Sequence, residues 1–413
     1  MTESFRYQNE VLACENTDLV EIAAQAGTPL YVYSSAELRQ RARAFRQPAE
    51  GMSVHYAVKA NGNPAILRLL KEEGLGADVT SGGELYLALA AGIEPHKIIY
   101  SGVGKRSDEI EMALVAGIES LHVESEMEFE HIAAIAAGIK RVARIAMRVN
   151  PDIGAETHPY DSTGRLVHKF GVPRKTAVSL YHQAAQHPWL QPVGLAAHIG
   201  SQITRLEPYR ELIAFLLALA GDLADQGIRL AYIDTGGGLG IDYGGQECVP
   251  EIDEWVSDLA GPVLDAGYRL VIEPGRAIVG PAGLLLTRVL YTKSQGGKSF
   301  IIVDAGMNDL VRPAMYNAHH PILPVCLNND PEALIIQDVV GPVCETGDFL
   351  ARNRPLPTMT SGNLLAIMQA GAYGFAMGSN YNGRLRPAEV LVHGDRFKII
   401  RRRQTNEHLL DGC

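Results

Sequence analysis

The sequence predicts an α/β plus β protein: a (β/α)8 TIM-type barrel followed by a mainly antiparallel β domain. Three observations carry this expectation. Between Val54 and Pro274, strand-like and helix-like stretches alternate roughly eight times over some 220 residues, which suits a closed barrel better than an open sheet. After Gly280 the pattern changes to short segments separated by Gly, Pro and Asn turns. Polar and glycine-rich clusters follow directly after several candidate strands, on the face where barrels keep their chemistry.

In chain order, Phe5–Leu12 falls outside the barrel count, and residues 1–26 are expected to pack on the β domain. The barrel is assigned to 27–280 and the β domain to 281–413. Candidate barrel strands lie near 54–58, 76–80, 97–101, 119–123, 142–149, 194–198, 231–235 and 269–273. Amphipathic helices are expected between them, at Pro64–Glu73, Gly83–Ala91, Ser107–Ala116 and Glu126–Ala137. Asn150 to Val193 is too long for a simple crossover and should carry an elaborated loop. The longest apolar run, Leu212 to Ala220, is about half a membrane span and reads as a buried helix, entered after Arg210-Glu211 and left toward Gly221-Asp222. Leu284–Tyr291, Phe300–Asp304, Glu332–Val340 and Glu389–Arg401 are the expected strands of the β domain.

Composition narrows the function classes. The chain has 413 residues, 46% hydrophobic and 20% charged, which are ordinary globular values. A formal charge of −10 argues against a nucleic-acid partner, which would need a basic face. The five cysteines are scattered, odd in number and lack a CxxC pair, so neither a disulfide framework nor a zinc ribbon is indicated, and no metal is expected. The first residues show no basic stretch leading into an apolar core, and no run is long enough to span a membrane. A cytoplasmic setting is the expectation.

Lys59 is the most informative residue. In Val54-His55-Tyr56-Ala57-Val58-Lys59, alternation puts Val54, Tyr56 and Val58 on one face and His55, Ala57 and Lys59 on the other. A lysine at a strand end is often a solvated surface group. At a barrel strand end it can instead be desolvated and form a Schiff base with a carbonyl compound such as pyridoxal phosphate. Ser81 and Glu84 read as the two halves of a helix capping box. His198, after the next marked strand, can be structural or can stack on a planar ring, and Ser201 can reach a phosphate. Gly236-Gly237-Gly238 can be a plain turn or an anion cradle of backbone N–H groups; it lacks the spacing of a dinucleotide fingerprint or P-loop. Glu273-Pro274-Gly275-Arg276 can be a surface turn. In a pyridoxal site the carboxylate would hold the pyridine nitrogen protonated, and Arg276 would grip a phosphate or carboxylate. Arg312 and Tyr316, Cys344 and Glu345, and Tyr373 form three further clusters, each also explicable as turn chemistry.

Taken together, in order and over nearly the whole chain, these motifs resemble the diaminopimelate decarboxylase family of fold-type III pyridoxal-phosphate enzymes. Ser379-Asn380-Tyr381-Asn382, Arg386-Pro387-Ala388-Glu389, Thr157-His158-Pro159-Tyr160 and Lys169-Phe170-Gly171 carry the resemblance most specifically. His168 and Arg205 depart from the family's commoner residues, and both concern loop detail. The resemblance implies decarboxylation of meso-2,6-diaminopimelate to L-lysine, with pyridoxal 5'-phosphate as cofactor. Lys59 would be the Schiff-base lysine, His198 would stack on the ring, and Glu273 would pair with the pyridine nitrogen. Ser201, Gly236, Gly237, Gly238, Pro274, Gly275, Arg276 and Tyr373 would complete the cofactor site. Arg276, Arg312, Tyr316, Glu345 and Tyr373 would bind the substrate. Cys344 is similar to the family's proton donor, and with Glu345 it would enter the site of a neighbouring subunit, which implies a homodimer with shared sites. Two rivals remain: decarboxylation of ornithine, lysine or arginine, and a non-catalytic cofactor carrier. Arg312-Pro313 with Cys344-Glu345-Thr346 speaks against the first, and the presence of both Lys59 and Cys344 against the second.

Overall fold

A computed structural model describes residues 3–46, 50–154, 169–244, 248–327 and 334–413. The Thr157–Gly164 motif and His168 lie outside the described residues. The chain forms two compact units, one of Met1–Gln40, Asp242–Glu247 and Ile278–Cys413, the other of Arg41–Ile241 and Cys248–Ala277.

The first unit begins with β1 (Phe5–Gln8), β2 (Val11–Cys14) and β3 (Thr17–Asp18), which form a three-stranded antiparallel sheet. Phe5, Leu12 and Cys14 are buried in the same cluster as Leu284, Leu286 and Val390, so the opening residues complete the core of this unit. Residues 27–40, which the sequence reading grouped with the barrel, also belong here. The reason is β4 (Leu30–Ser34), buried at every position. It is a central strand, antiparallel to Gly283–Leu286 on one side and parallel to Ala388–Val392 on the other. A run that is apolar on both faces fits such a position, and periodicity alone does not distinguish it from a barrel strand.

The second unit is a closed parallel barrel of eight strands: β5 (Met52–Ala57), β6 (Gly76–Val79), β7 (Ile98–Tyr100), β8 (Ser120–Val123), β9 (Ala143–Arg148), β10 (Leu190–Ala196), β11 (Tyr232–Asp234) and β12 (Arg269–Ile272). All eight coincide with expected segments, most of them ending a residue or two earlier. The barrel closes through β12 and β5, where Leu270, Val271 and Ile272 pair with Met52, Ser53 and Val54. Its interior is filled with side chains. Tyr232 is fully buried and hydrogen-bonds Ser120 across the barrel at 2.6 Å. Gly194 makes room for that ring, since a Cβ there would overlap it.

The helices around the barrel start where short polar side chains satisfy their first N–H groups. Asn63 accepts from Ala65 N, Ser81 from Glu84 N and Ser125 from Glu128 N. The capping box expected at Ser81 is modified: Glu84 reaches one residue further back, to the N–H and hydroxyl of Thr80. The apolar run 212–220 is the middle of a longer helix, Glu207–Asp225. Gly221 does not end it, because its position faces open space and the buried face resumes at Leu223. The long stretch after Asn150 contains the helix Arg174–Gln186 before β10. Among the described residues no helix is long and apolar enough to cross a membrane.

The rest of the first unit contributes β13 (Gly283–Gln295), β14 (Lys298–Val303), β15 (Ile322–Pro324), β16 (Ile335–Val340), β17 (Phe349–Leu356), β18 (Leu364–Ile367), β19 (Ala388–His393) and β20 (Arg396–Arg401). With β4 they make one sheet whose main path is β17-β16-β14-β13-β4-β19-β20. The sheet is mostly antiparallel, but β14 with β16 and β4 with β19 are parallel. The segment expected as one strand over 389–401 is a hairpin, because Gly394 supplies the positive φ of its turn.

Candidate active site

Because every barrel strand runs in the same direction, all eight C-terminal ends meet at one rim. Each delivers a polar group there. Lys59 follows β5, not as the last strand residue but inside a 3-10 turn, Val58–Ala60. Its ammonium is 3.0 Å from Asp78 Oδ2 at the end of β6. Ser101 follows β7, Glu124 follows β8, and Arg148 ends β9 with its guanidinium 3.0 Å from Glu124. After β10 come His198 and Ser201, the strand having ended at Ala196. Asp234 ends β11 and leads into Gly236-Gly237-Gly238; Glu273-Pro274-Gly275-Arg276 follows β12.

Backbone bonds lock this rim. Glu273 N donates to Gly236 O at 2.8 Å and Ala57 N to Pro274 O at 3.1 Å, so the ladder continues past the strands. Asp234 Oδ1 accepts from Gly236 N, and His198 Nδ1 accepts from Gly237 N. Arg276 donates to Ser201 Oγ at 3.0 Å. A Cβ on Gly237 would overlap the Glu273 carbonyl, and one on Gly238, whose φ is +97°, would overlap that of Gly200. Only glycine lets these segments close on each other.

The electrostatics of the rim centre on three buried carboxyls, Asp78, Asp234 and Glu273. Burial and then the Asp78 charge push the Glu273 carboxyl upward, against the opposing pull of Lys59 and Arg148. Burial and then Glu273 push the Asp234 carboxyl well up too, against the pull of the hydrogen bond it accepts from Gly236 N. Desolvation, then Arg148 and Lys59, hold His198 well below the ordinary imidazole range. A neutral His198 that accepts at Nδ1 carries its proton on Nε2. His122, Asp234 and Glu273 bring ligand atoms within 4.8 Å of one another. His122 too is driven toward neutrality, first by burial and then by Lys105 and Arg148.

In the other unit, Arg312 and Tyr316 bracket a short helix, with the Arg312 guanidinium buried. Cys344 and Glu345 lie exposed on a turn after β16. That turn is held by Asn382, which accepts from Cys344 N at 2.7 Å, and by Asp348, which accepts from Val343 N and Met307 N. Glu345 lies close enough to Tyr381 to push its phenol upward. Tyr373 sits between its glycines at φ +57°, a left-handed conformation that a tyrosine adopts only under constraint.

Sequence reasoning picked out Lys59, His198, the glycines and Glu273, and the barrel brings them together. It missed Asp78, Asp234 and Arg148. The available signal was a charged residue at or next to the end of a short, largely apolar strand, repeated on β6, β9 and β11.

The residues present fit pyridoxal phosphate. The glycine cradle leaves no room for side chains, and Asp78 Oδ1 and Asp234 Oδ2 are buried without a hydrogen-bond partner among the described residues. Three carboxyls around a single lysine suit a ligand with a cationic ring nitrogen. This barrel and rim define a pyridoxal-dependent decarboxylase: residues 35–280 match the family described as "Pyridoxal-dependent decarboxylase, pyridoxal binding domain". Within that class the similarities are specific. The diaminopimelate decarboxylase of Aquifex aeolicus is 45% identical, covering 98% of this chain and 96% of its own. The crystal structure of the Helicobacter pylori diaminopimelate decarboxylase complexed with L-lysine matches with TM-score 0.91 and 39% identity, covering 95% of this chain and 98% of that one. The M. jannaschii diaminopimelate decarboxylase in co-complex with L-lysine gives TM-score 0.93 and 34% identity, covering 99% and 97%. The chain belongs to the diaminopimelate decarboxylase family.

Proposed function

We propose that the protein decarboxylates meso-2,6-diaminopimelate to L-lysine and CO2, with pyridoxal 5'-phosphate as cofactor. Family membership over nearly the full chain carries this reading, because the barrel rim alone would serve any amino-acid decarboxylase. Lys59 would hold the cofactor through its amine, and His198 would cover one face of its ring. Ser201, Gly236 to Gly238, Pro274, Gly275, Arg276 and Tyr373 would cradle it, most of them at the phosphate. Glu273 would meet the ring nitrogen. When bound, the cofactor supplies an electron sink for the pair left behind by the departing carboxylate.

The chain's own groups do the rest. With Asp234 driven toward its neutral form by burial and by Glu273, Glu273 would be the carboxylate that faces a ring N–H. Arg276 and Arg312 would provide positive charge for substrate carboxylates, Glu345 would meet the distal ammonium, and Tyr316 and Tyr373 would complete the substrate-binding set. The Cys344 thiol delivers its proton to the substrate α-carbon after CO2 leaves. Cys344 and Glu345 would act in the partner's site within a homodimer.

The test is product analysis of the purified protein with pyridoxal phosphate and, separately, meso-diaminopimelate, ornithine, arginine and lysine. Lysine and CO2 from diaminopimelate alone are expected. Turnover of another amino acid only would overturn the substrate, and no turnover at all would favour a carrier.

A further inference from the structure

His320 is fully buried, and both of its ring nitrogens are engaged. Nδ1 lies 2.9 Å from the carbonyl oxygen of Met368. A carbonyl can only accept, so Nδ1 carries the proton. Nε2 lies 2.8 Å from Nη1 of Arg312, and a guanidinium can only donate. The two contacts therefore fix one neutral tautomer; an imidazolium would aim N–H against N–H. Tyr243 holds the same pair from a third side. Its ring centroid is 4.8 Å from the Arg312 guanidinium carbon, and it packs edge-on against His320 at 5.1 Å. The Tyr243 backbone is itself tied down, its carbonyl accepting from His319 Nδ1 at 2.8 Å.

The choice of partner matters. Where Arg148 meets Glu124, the carboxylate orients the guanidinium but also sets a negative charge against it. An imidazole acceptor orients without that opposing charge, so through this bond Arg312 is positioned and keeps its charge. We infer that His320 is a positioning residue for substrate selection: it fixes the Arg312 guanidinium to receive the carboxylate at the non-reacting end of the amino acid. This rests on the Arg312 role proposed above.

The test compares two competitive inhibitors of the holoenzyme. L-lysine retains the amino-acid end that Arg312 would hold, and 1,5-diaminopentane lacks its carboxylate. His320→Asn keeps a donor for the Met368 carbonyl but offers nothing at the Nε2 position. It should weaken L-lysine inhibition roughly tenfold or more and leave 1,5-diaminopentane within about twofold, as expected for a lost charge-assisted bond. His320→Gln, which can return an acceptor oxygen to Arg312, should restore discrimination to within about threefold of wild type. In an Arg312→Leu background, His320→Asn should add nothing. Equal weakening of both inhibitors, unchanged discrimination, or additivity with Arg312→Leu would each overturn the inference. If His320→Asn does not fold as holoenzyme, His320→Leu is compared with the Gln variant in its place. A wild-type enzyme that does not turn over diaminopimelate would instead reject the functional reading, which separates the two failures.

Discussion

Single residues set the charge state of the barrel rim, and two predictions belong at this scale. Lys59, ion-paired with Asp78, is the amine assigned to the cofactor. Lys59→Ala should abolish the visible absorbance of protein-bound pyridoxal phosphate, and a surviving band would assign the cofactor to another lysine. Glu273 yields a pH dependence. Burial and Asp78 raise its carboxyl from 4.5 to about 7, so between these values the folded chain holds a proton that the unfolded chain has released. Glu273 therefore favours folding below about pH 4.5, and that contribution is lost as pH rises through about 7. Between pH 5 and 8, the melting temperature of the cofactor-free protein should fall more steeply for wild type than for Glu273→Gln. Adding pyridoxal phosphate should narrow the difference, because a ring N–H compensates the buried anion. Parallel profiles for the two proteins would refute the assignment.

At the scale of elements, the barrel depends on close approaches that only small residues allow. Gly194 on β10 faces the Tyr232 ring from β11, and Tyr232 in turn anchors to Ser120 on β8. Gly194→Ala must displace that ring from a packed interior, which should cost about 1–3 kcal/mol. Denaturant unfolding reads this directly; a change within ±0.5 kcal/mol would show that the ring can move freely. The barrel strands were legible from their apolar runs and their regular alternation with helices. Their ends were less so: Lys59 sits in a 3-10 turn because β5 stops at Ala57, where the next ladder bond goes to Pro274. A strand end is set by a partner hundreds of residues away, which local periodicity does not carry.

For the whole molecule, the proposal that Cys344 serves the partner's site makes a mixing prediction. Lys59→Ala and Cys344→Ala homodimers should each be nearly inactive while the Cys344 variant still binds cofactor. Co-refolded in equal amounts, they should recover up to about a quarter of wild-type activity, because half of the dimers then hold one intact site of two. No recovery on mixing would place Cys344 in the same subunit's site or outside the chemistry.

The sequence by itself determined the barrel, the second β-rich unit and part of the rim's chemistry, because these depend on which residue types follow which strands. Lys59, the Gly236–Gly238 run and Glu273 were readable because each marks a strand end with chemistry that apolar packing does not need. Only the tertiary structure decided that residues 27–40 join the β unit, since β4 is apolar on both faces and its affiliation depends on pairing with β13 and β19. It likewise decided that burial raises the Asp234 and Glu273 carboxyls and that His320 meets Arg312 through a defined tautomer. Those properties are fixed by burial and by donor–acceptor geometry across the fold, and a linear pattern contains neither.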